Sequence, residues 1–401
     1  MPRDRKAAVM KVAGPPGESP SVHLDALRGF AAFCVLLNHF RDALFVDYEA
    51  LARHNPLTSA AYLVSGLGHQ AVIVFFVLSG YLVGGSVLRS VRKGSWSWRD
   101  YLLDRFSRLY VVLLPALLLG GALDWLGMHR PGAEAVYSGN SGMHALAINV
   151  HSTLTWPILG ANSLFLQTVT IHLPEFGPYA VPTFGSNGAL WSLSYEFWYY
   201  LAFPVLVFLF ARSQSWKMRA IACLGLLAWG WFVGSNIVLL GITWLMGALI
   251  AFLPAFPVRR SWTRGLAIAM ALALFGAGLV YGKFEASSLS SDFVLGLAVT
   301  AMIWVTLDCA TAPLPAFYVH AARRVAHTSF TLYLVHLPML IFLKAALHLP
   351  RAYPGWHMVL VGAGVLAATV LYAQLVYEAF ERNTDRVRRW IRPYVMGRRA
   401  A

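Results

Sequence analysis

Charge is scarce in this 401-residue chain, and acidic charge scarcest: charged residues make up 12% of the sequence, with 18 Asp and Glu against 32 Lys and Arg. Soluble domains carry roughly 25%, so a solvated charged surface is excluded for most of the length. Cysteine is nearly absent. Cys34, Cys223 and Cys309 are odd in number, lie in apolar runs and lack metal-ligand spacing, which excludes a disulfide framework and a zinc site and leaves buried apolar thiols as the expectation. No metal is expected. A single basic face is missing too: the net charge of +14 is dispersed in short clusters between apolar stretches, a pattern that reports membrane topology and argues against nucleic acid as a partner. Hydrocarbon is what abounds, at 58% of residues.

Apolar runs long enough to cross about 30 Å of hydrocarbon fall at 24–45, 68–88, 106–126, 190–211, 218–234, 236–256, 264–282, 290–309, 327–348 and 356–380. The chain reads as an all-α, polytopic membrane protein of about ten transmembrane helices, with the lipid bilayer as its surroundings. The segment before the first run is basic and rich in Pro and Gly, without the apolar core or cleavage site of a signal peptide. Residues 1–20 are therefore expected as a disordered cytosolic tail, 21–381 as the transmembrane domain and 382–401 as a basic cytosolic tail. Ten crossings return both termini to one side. With that side cytosolic, every Lys and Arg except Arg41, Arg53, Arg130, Lys283, Lys344 and Arg351 faces the cytosol, as the positive-inside rule asks. The count is least secure at the short run 218–234 and across 127–189, which is rich in Gly, Pro, Ser and His and suits a re-entrant or interfacial segment. No pair of broken helices marks an inverted repeat. The C-terminal stretch from Glu381 holds seven arginines and Trp390, fit either to lie on anionic headgroups or to help bind an anionic cofactor.

Ionisable residues within apolar spans are costly and point to function. Arg28 and His39 stand eleven residues apart, about three turns and about 16 Å along one helix face. His39 suits either a hydrogen bond to a neighbouring helix or the role of a general base for an alcohol, with Asp42, three residues on, fixing its tautomer or serving only as an interfacial residue. Arg28 is a topology anchor or, with Arg105 and Arg108 three residues apart, part of an arginine mouth for phosphates. Arg89, Arg92, Lys93 and Arg99 precede that pair in the sequence. Ser79, Gly80, Gly84 and Gly85 allow close helix packing or a thin tunnel wall. Glu196 sits among Trp191, Tyr195, Trp198, Tyr199 and Tyr200, an interfacial girdle or a sugar-binding surface. Tyr333 and His336 share a face ahead of Pro338, either bonding helices together or lying near the reacting atoms.

In this order the pieces LDALRGFAAFCVLLNHF, FFVLSGYL, RFSRLY, LWSLSYEFWYYLAFP and SFTLYLVHLP resemble the acyltransferase 3 family, integral-membrane acyltransferases of surface glycans and related acceptors. The likeness runs from Leu24 to about Arg386. It implies His39, paired with Arg28, as catalytic base or acyl relay, and Arg105 with Arg108 at the acyl-CoA end. Acetyl-CoA from the cytosol is the implied cosubstrate, with no permanently bound cofactor. Two departures stand out: Glu381-Arg382 is followed by Asn383 where relatives often have proline, and no C-terminal hydrolase-like domain of the kind some relatives carry is expected. The chain is thus expected to finish the transfer alone or to pass its acyl group to a separate periplasmic partner.

The expected activity is O-acylation of a sugar hydroxyl in a lipid-linked or exported polysaccharide, with a macrolide or other small secondary metabolite as the alternative acceptor. Ser79 is placed with the arginines on the acyl-CoA side; Trp191, Glu196, Tyr199, Tyr333 and His336 are placed around the acceptor, with Glu196 also catalytic beside His39 and Asp42. From another class, the chain fits a transporter of an anionic solute or lipid-linked glycan, using Arg28 and His39 as substrate and proton sites. Helical spans, together with the family likeness, place it in a bacterial inner membrane.

Overall fold

The computed structural model describes residues 17–146, 148–173, 177–211, 214–258, 260–285 and 288–396. It is helical almost throughout, with one hairpin pairing Thr170–Leu173 antiparallel to Gly177–Ala180. The principal helices are α1 (Glu18–Leu44), α2 (Gly68–Arg92), α3 (Trp98–Met128), α4 (Trp191–Leu209), α5 (Trp216–Val233), α6 (Ser235–Leu249), α7 (Ser261–Phe284), α8 (Leu289–Cys309), α9 (Ala316–Ala346), α10 (Trp356–Ala379) and α11 (Thr384–Met396).

Among the described residues nine candidate spans are long and apolar enough to cross a bilayer: α1 to α4 and α6 to α10, with α11 continuing the last. The tenth expected run is α5, whose first turn holds Lys217 and Arg219; these dilute its apolarity, and it is not among the nine. It is also peripheral, with Val233 its one buried residue, which is why Cys223 is exposed rather than buried as expected.

Several helices outrun their apolar stretches at one end. α1 starts at Glu18, inside the expected tail; α3 starts at Trp98 and α9 at Ala316, eight and eleven residues before their hydrophobic runs. A helix satisfies its own backbone, so it can continue past the hydrocarbon where arginines replace leucines. The expected C-terminal tail is likewise helix, α11, over 384–396; its residues 397–401 and residues 1–16 of the N-terminal tail lie outside the described residues.

Contacts at the helix ends fix their directions. Arg323 at the start of α9 bonds Glu18 at the start of α1 at 3.2 Å, while Ala352 N–H donates to Leu44 O at 3.0 Å past the other end. These two helices run parallel at the centre. Arg392 of α11 bonds Asp100 at the start of α3 at 3.0 Å, so α11 lies along the same end, which is rich in arginine. At the far end residues 127–189 form short helical turns and the hairpin, a cap tied down where Asp124 of α3 accepts from Ser186 N–H at 2.7 Å and its hydroxyl at 2.6 Å.

Prolines inside the spans leave carbonyls without an intrahelical donor. At Pro204 and Pro338 the freed carbonyls are taken by side chains from elsewhere: Tyr101 hydroxyl donates to Tyr200 O at 2.9 Å, four residues before Pro204, and Asn187 Nδ2 donates to Leu334 O at 2.8 Å, four before Pro338. Glycine does comparable work between α2 and α6. A Cβ on Gly80 would lie 1.8 Å from Trp244 O, and one on Gly247 would lie 1.9 Å from Val77 O, so the two backbones touch. Of the small residues in this part of α2, Gly80 and Gly84 therefore pack against a helix, at a π-helical turn spanning Gly80–Gly84.

Candidate active site

A cavity of about 120 Å³ opens beside that turn. It is walled by Phe75, Phe76 and Leu193 and receives polar groups from five elements: Arg28, Ser79, Arg105, Arg108, Glu196, Tyr200 and Tyr333. Residues of α1, α2, α3, α4 and α9 singled out in sequence thus meet in one place. Glu196 Oε1 accepts from Ser79 Oγ at 2.6 Å and from the Tyr200 hydroxyl one helical turn away; Ser79 Oγ accepts in turn from Trp244 Nε1 at 3.1 Å. Tyr200, named from sequence only as part of the aromatic girdle around Glu196, and Trp244, not named at all, are members that the sequence did not assign to the site. The i, i+4 spacing of Glu196 and Tyr200 was a usable signal for the first; nothing local pointed to the second.

Arg28, Arg105 and Arg108 also line a second space, a polar vestibule of about 390 Å³ at the arginine end. They form the boundary between an apolar interior and an open, charged entrance. Arg28 leans on Asp25 at 3.7 Å, and Arg105 bonds Asp104 while its guanidinium lies 5.9 Å from the Tyr200 ring centre. Arg105 Nε is buried without an acceptor, and Arg108 makes no ion pair among the described residues. Donors left open around a cavity can take a ligand's phosphates. Glu381, at the vestibule wall, is engaged structurally: its Oε2 accepts from Thr331 N–H at 3.1 Å and from the Thr331 hydroxyl.

α1 is unbroken from Arg28 to His39, so the separation of about 16 Å stands. The partner of His39 is not the one expected. Its Nδ1 lies 2.7 Å from Nε2 of His336, the rings stacked 5.0 Å apart and 13° from parallel. His336 Nδ1 faces two carbonyls, Leu332 O and Tyr333 O, both at 2.9 Å, and must donate to them. Its Nε2 is then the acceptor for the Nδ1–H of His39, which leaves the lone pair of His39 on Nε2. The imidazole is oriented as a base by a second imidazole.

Asp42, expected beside His39, turns away instead: its carboxylate accepts the backbone N–H groups of His144 at 3.1 Å and Ala145 at 2.8 Å, with Arg351 at 3.9 Å. Two amides in fixed geometry hold a carboxylate better than one imidazole three residues back. Asp42, Asp47 and His144 come together there, and Arg351 supplies the neighbouring cation, 2.9 Å from Asp47. Tyr199 is a second correction. It does not reach the cavity but donates to Ile237 O at 2.7 Å, tying α4 to α6. Trp191 lies outside the lining as well, stacked 6.3 Å from His69, which bonds Asp292 at 2.8 Å. His336 stands behind Tyr333, whose hydroxyl is 2.7 Å from Ser192 Oγ and 3.0 Å from Ala189 O.

A bundle of apolar helices sheltering charged and titratable side chains defines an integral membrane protein with a site sunk among its spans. The chain belongs to the acyltransferase 3 family: the family's model, described as an acyltransferase domain, matches residues 22–378. Over 185 residues it is 30% identical to acyltransferase MdmB of Streptomyces mycarofaciens, an alignment covering 45% of this chain and 38% of that relative, so the chain matches well under half of the relative's length. No solved structure matches. The chain thus belongs to an acyltransferase family and carries nine candidate membrane-spanning helices among its described residues.

Proposed function

We propose that the protein moves an acyl group, acetyl first among candidates, from acyl-CoA to a hydroxyl of a sugar in a lipid-linked or exported polysaccharide. One observation carries this reading: three arginines ring the passage from a polar vestibule to an apolar cavity, and a histidine with an oriented lone pair lies about 16 Å further along the same helix as Arg28. Phosphates would rest on the arginines while the thioester arm, of comparable length, reaches inward. His39 Nε2 takes the proton of the acceptor hydroxyl, and the oxygen attacks the thioester carbonyl. The new C–O bond forms as the C–S bond breaks, and the departing thiolate recovers the proton from His39. His336 supports the transient imidazolium through its hydrogen bond. Direct transfer needs no acyl-enzyme.

The positive-inside bias supports a cytosolic arginine end in a bacterial inner membrane, where acyl-CoA is available. If α5 also crosses, both termini share that side.

The test is thiol release from acetyl-CoA by the full-length protein in lipid nanodiscs, with and without a crude glycan extract. Release that depends on the extract and falls about a thousandfold in His39→Ala is expected. No release with acetyl-, succinyl- or butyryl-CoA would overturn the reading in favour of transport.

A further inference from the structure

The arginine end holds a third space that the transfer chemistry leaves unused. A basin of about 560 Å³ lies between α3 and α11 and is lined by Arg105, Arg388, Arg389 and Arg392 together with Trp96. It shares Asp104, Arg105 and Arg388 with the vestibule, which shares Arg28, Arg105 and Arg108 with the inner cavity. The three spaces therefore adjoin in series, separated by shared arginine walls. α11, at Thr384–Met396, lies beyond the family-matched residues 22–378.

Four guanidinium groups face two carboxylates across the basin, a net positive lining. Arg388 is held by Asp104 and by Asp385 at 2.9 Å, and Arg392 by Asp100 at 3.0 Å, which orients both forks and leaves donors of Arg392 open. Arg389 pairs with no carboxylate among the described residues; its Nε reaches Asp385 O at 3.3 Å. Trp96 adds a flat ring, packed 5.0 Å from Tyr101, and an indole N–H that is buried without an acceptor. Pinned arginines, one unpaired arginine and an aromatic ring with a spare donor are the ingredients for a phosphorylated nucleoside. The opposite face of α11 presents Trp390 and Tyr394, 68% and 69% exposed, and suits the headgroup region. One helix thereby offers a lipid face and a ligand face.

Resting on the acyl-CoA reading above, we infer that the basin between α3 and α11 binds the 3′-phosphoadenosine end of acyl-CoA, with Arg389 and Trp96 as its specific contacts. The site then selects the nucleotide-bearing donor over the bare thioester arm.

The experiment compares kcat/KM for acetyl-CoA, acetyl-dephospho-CoA and acetyl-pantetheine in full-length protein, held in phosphatidylcholine nanodiscs and in nanodiscs that also contain phosphatidylglycerol. Wild type is expected to prefer acetyl-CoA in both, and Arg389→Gln to lower the acetyl-CoA to acetyl-pantetheine ratio about tenfold, most of it at the 3′-phosphate step. Trp96→Phe, which keeps the ring, should lower the same ratio severalfold. A wild type indifferent to the nucleotide, or an Arg389→Gln ratio equal to wild type, overturns the inference while acyl transfer stands. An effect seen only with phosphatidylglycerol overturns it in favour of a lipid headgroup. Absence of turnover with all three thioesters defeats the acyl-CoA reading itself, and the basin assignment with it.

Discussion

The two ends of the bundle treat buried charge in opposite ways. At the far end most charges near the core are matched, Asp42 by two amides and Arg351, Asp124 by Ser186, and Lys344 by Ala43 O at 2.8 Å and Leu349 O at 2.9 Å, although Arg41 keeps a buried Nε–H unbonded over the Tyr62 ring. At the arginine end Arg108 makes no ion pair among the described residues and Arg105 keeps a buried Nε–H unbonded. A matched charge adds fixity to a fold, and an unmatched one is a standing cost unless something else comes to it. The far end uses its charge mainly to fix the fold, whereas the arginine end is where the proposed donor would supply the missing anion.

Substitutions that separate stability from donor affinity would sharpen or break that contrast. Asp42→Ala carries the largest expected effect, a loss of about 3 kcal/mol, because it strands two amides and a neighbouring guanidinium. Thermal melting in nanodiscs should show a large fall, with the KM for acetyl-CoA of the remaining folded protein unchanged. A raised KM instead would bring Asp42 back to the chemistry.

Arg108→Ala should do the reverse. KM for acetyl-CoA rises about tenfold while the melting temperature stays at the wild-type value. A destabilised variant with normal KM would make Arg108 an architectural residue and erase the comparison.

Asn187→Ala leaves Leu334 O without a donor beside the turn that holds His336, and a cost of about 1 kcal/mol follows. Its melting temperature drops slightly; a loss of turnover larger than the stability change would mean that the cap also sets the angle of the His336 ring.

The smallest effect belongs to Asp47. Partial burial pushes its carboxyl up, but the Arg351 guanidinium and His144 outweigh this and hold it below the ordinary value. Asp47→Asn should cost about 0.5 kcal/mol at neutral pH, since solvent screens the pair. The folded value is the lower one, so this contribution is present above the unfolded carboxylate pKa and is lost as pH falls through the folded value. Melting curves of variant and wild type should converge in strong acid; a gap that widens there would reverse the assigned sign.

Much of the site was legible because membrane helices make charge conspicuous. Arg28, Ser79, Arg105, Arg108, Glu196 and Tyr333 were each visible as polar groups in apolar runs, and all six line one cavity. What stayed hidden was pairing over distance. The i, i+3 rule offered Asp42 to His39, but loop amides 102 and 103 residues away hold that carboxylate, and the true partner, His336, stands 297 residues on. Aromatic residues misled for a related reason. Tyr199 and Tyr200 are adjacent in an evenly aromatic stretch, yet helical geometry sends one to α6 and the other to Glu196. Spans were readable from apolar length, whereas helix starts at Trp98 and Ala316 were not, since nothing in hydropathy marks a helix continuing beyond the hydrocarbon. The 127–189 segment has no period to read, and its short turns and hairpin are set by the groups they cap.

The stacked histidines join the first candidate span to the eighth, so the tautomer of His39 is fixed only when both are in place. As the chain leaves the ribosome, His39 enters the bilayer early and waits through almost three hundred further residues for the ring that orients it. A nascent or truncated chain that lacks α9 therefore holds His39 without its tautomer fixed.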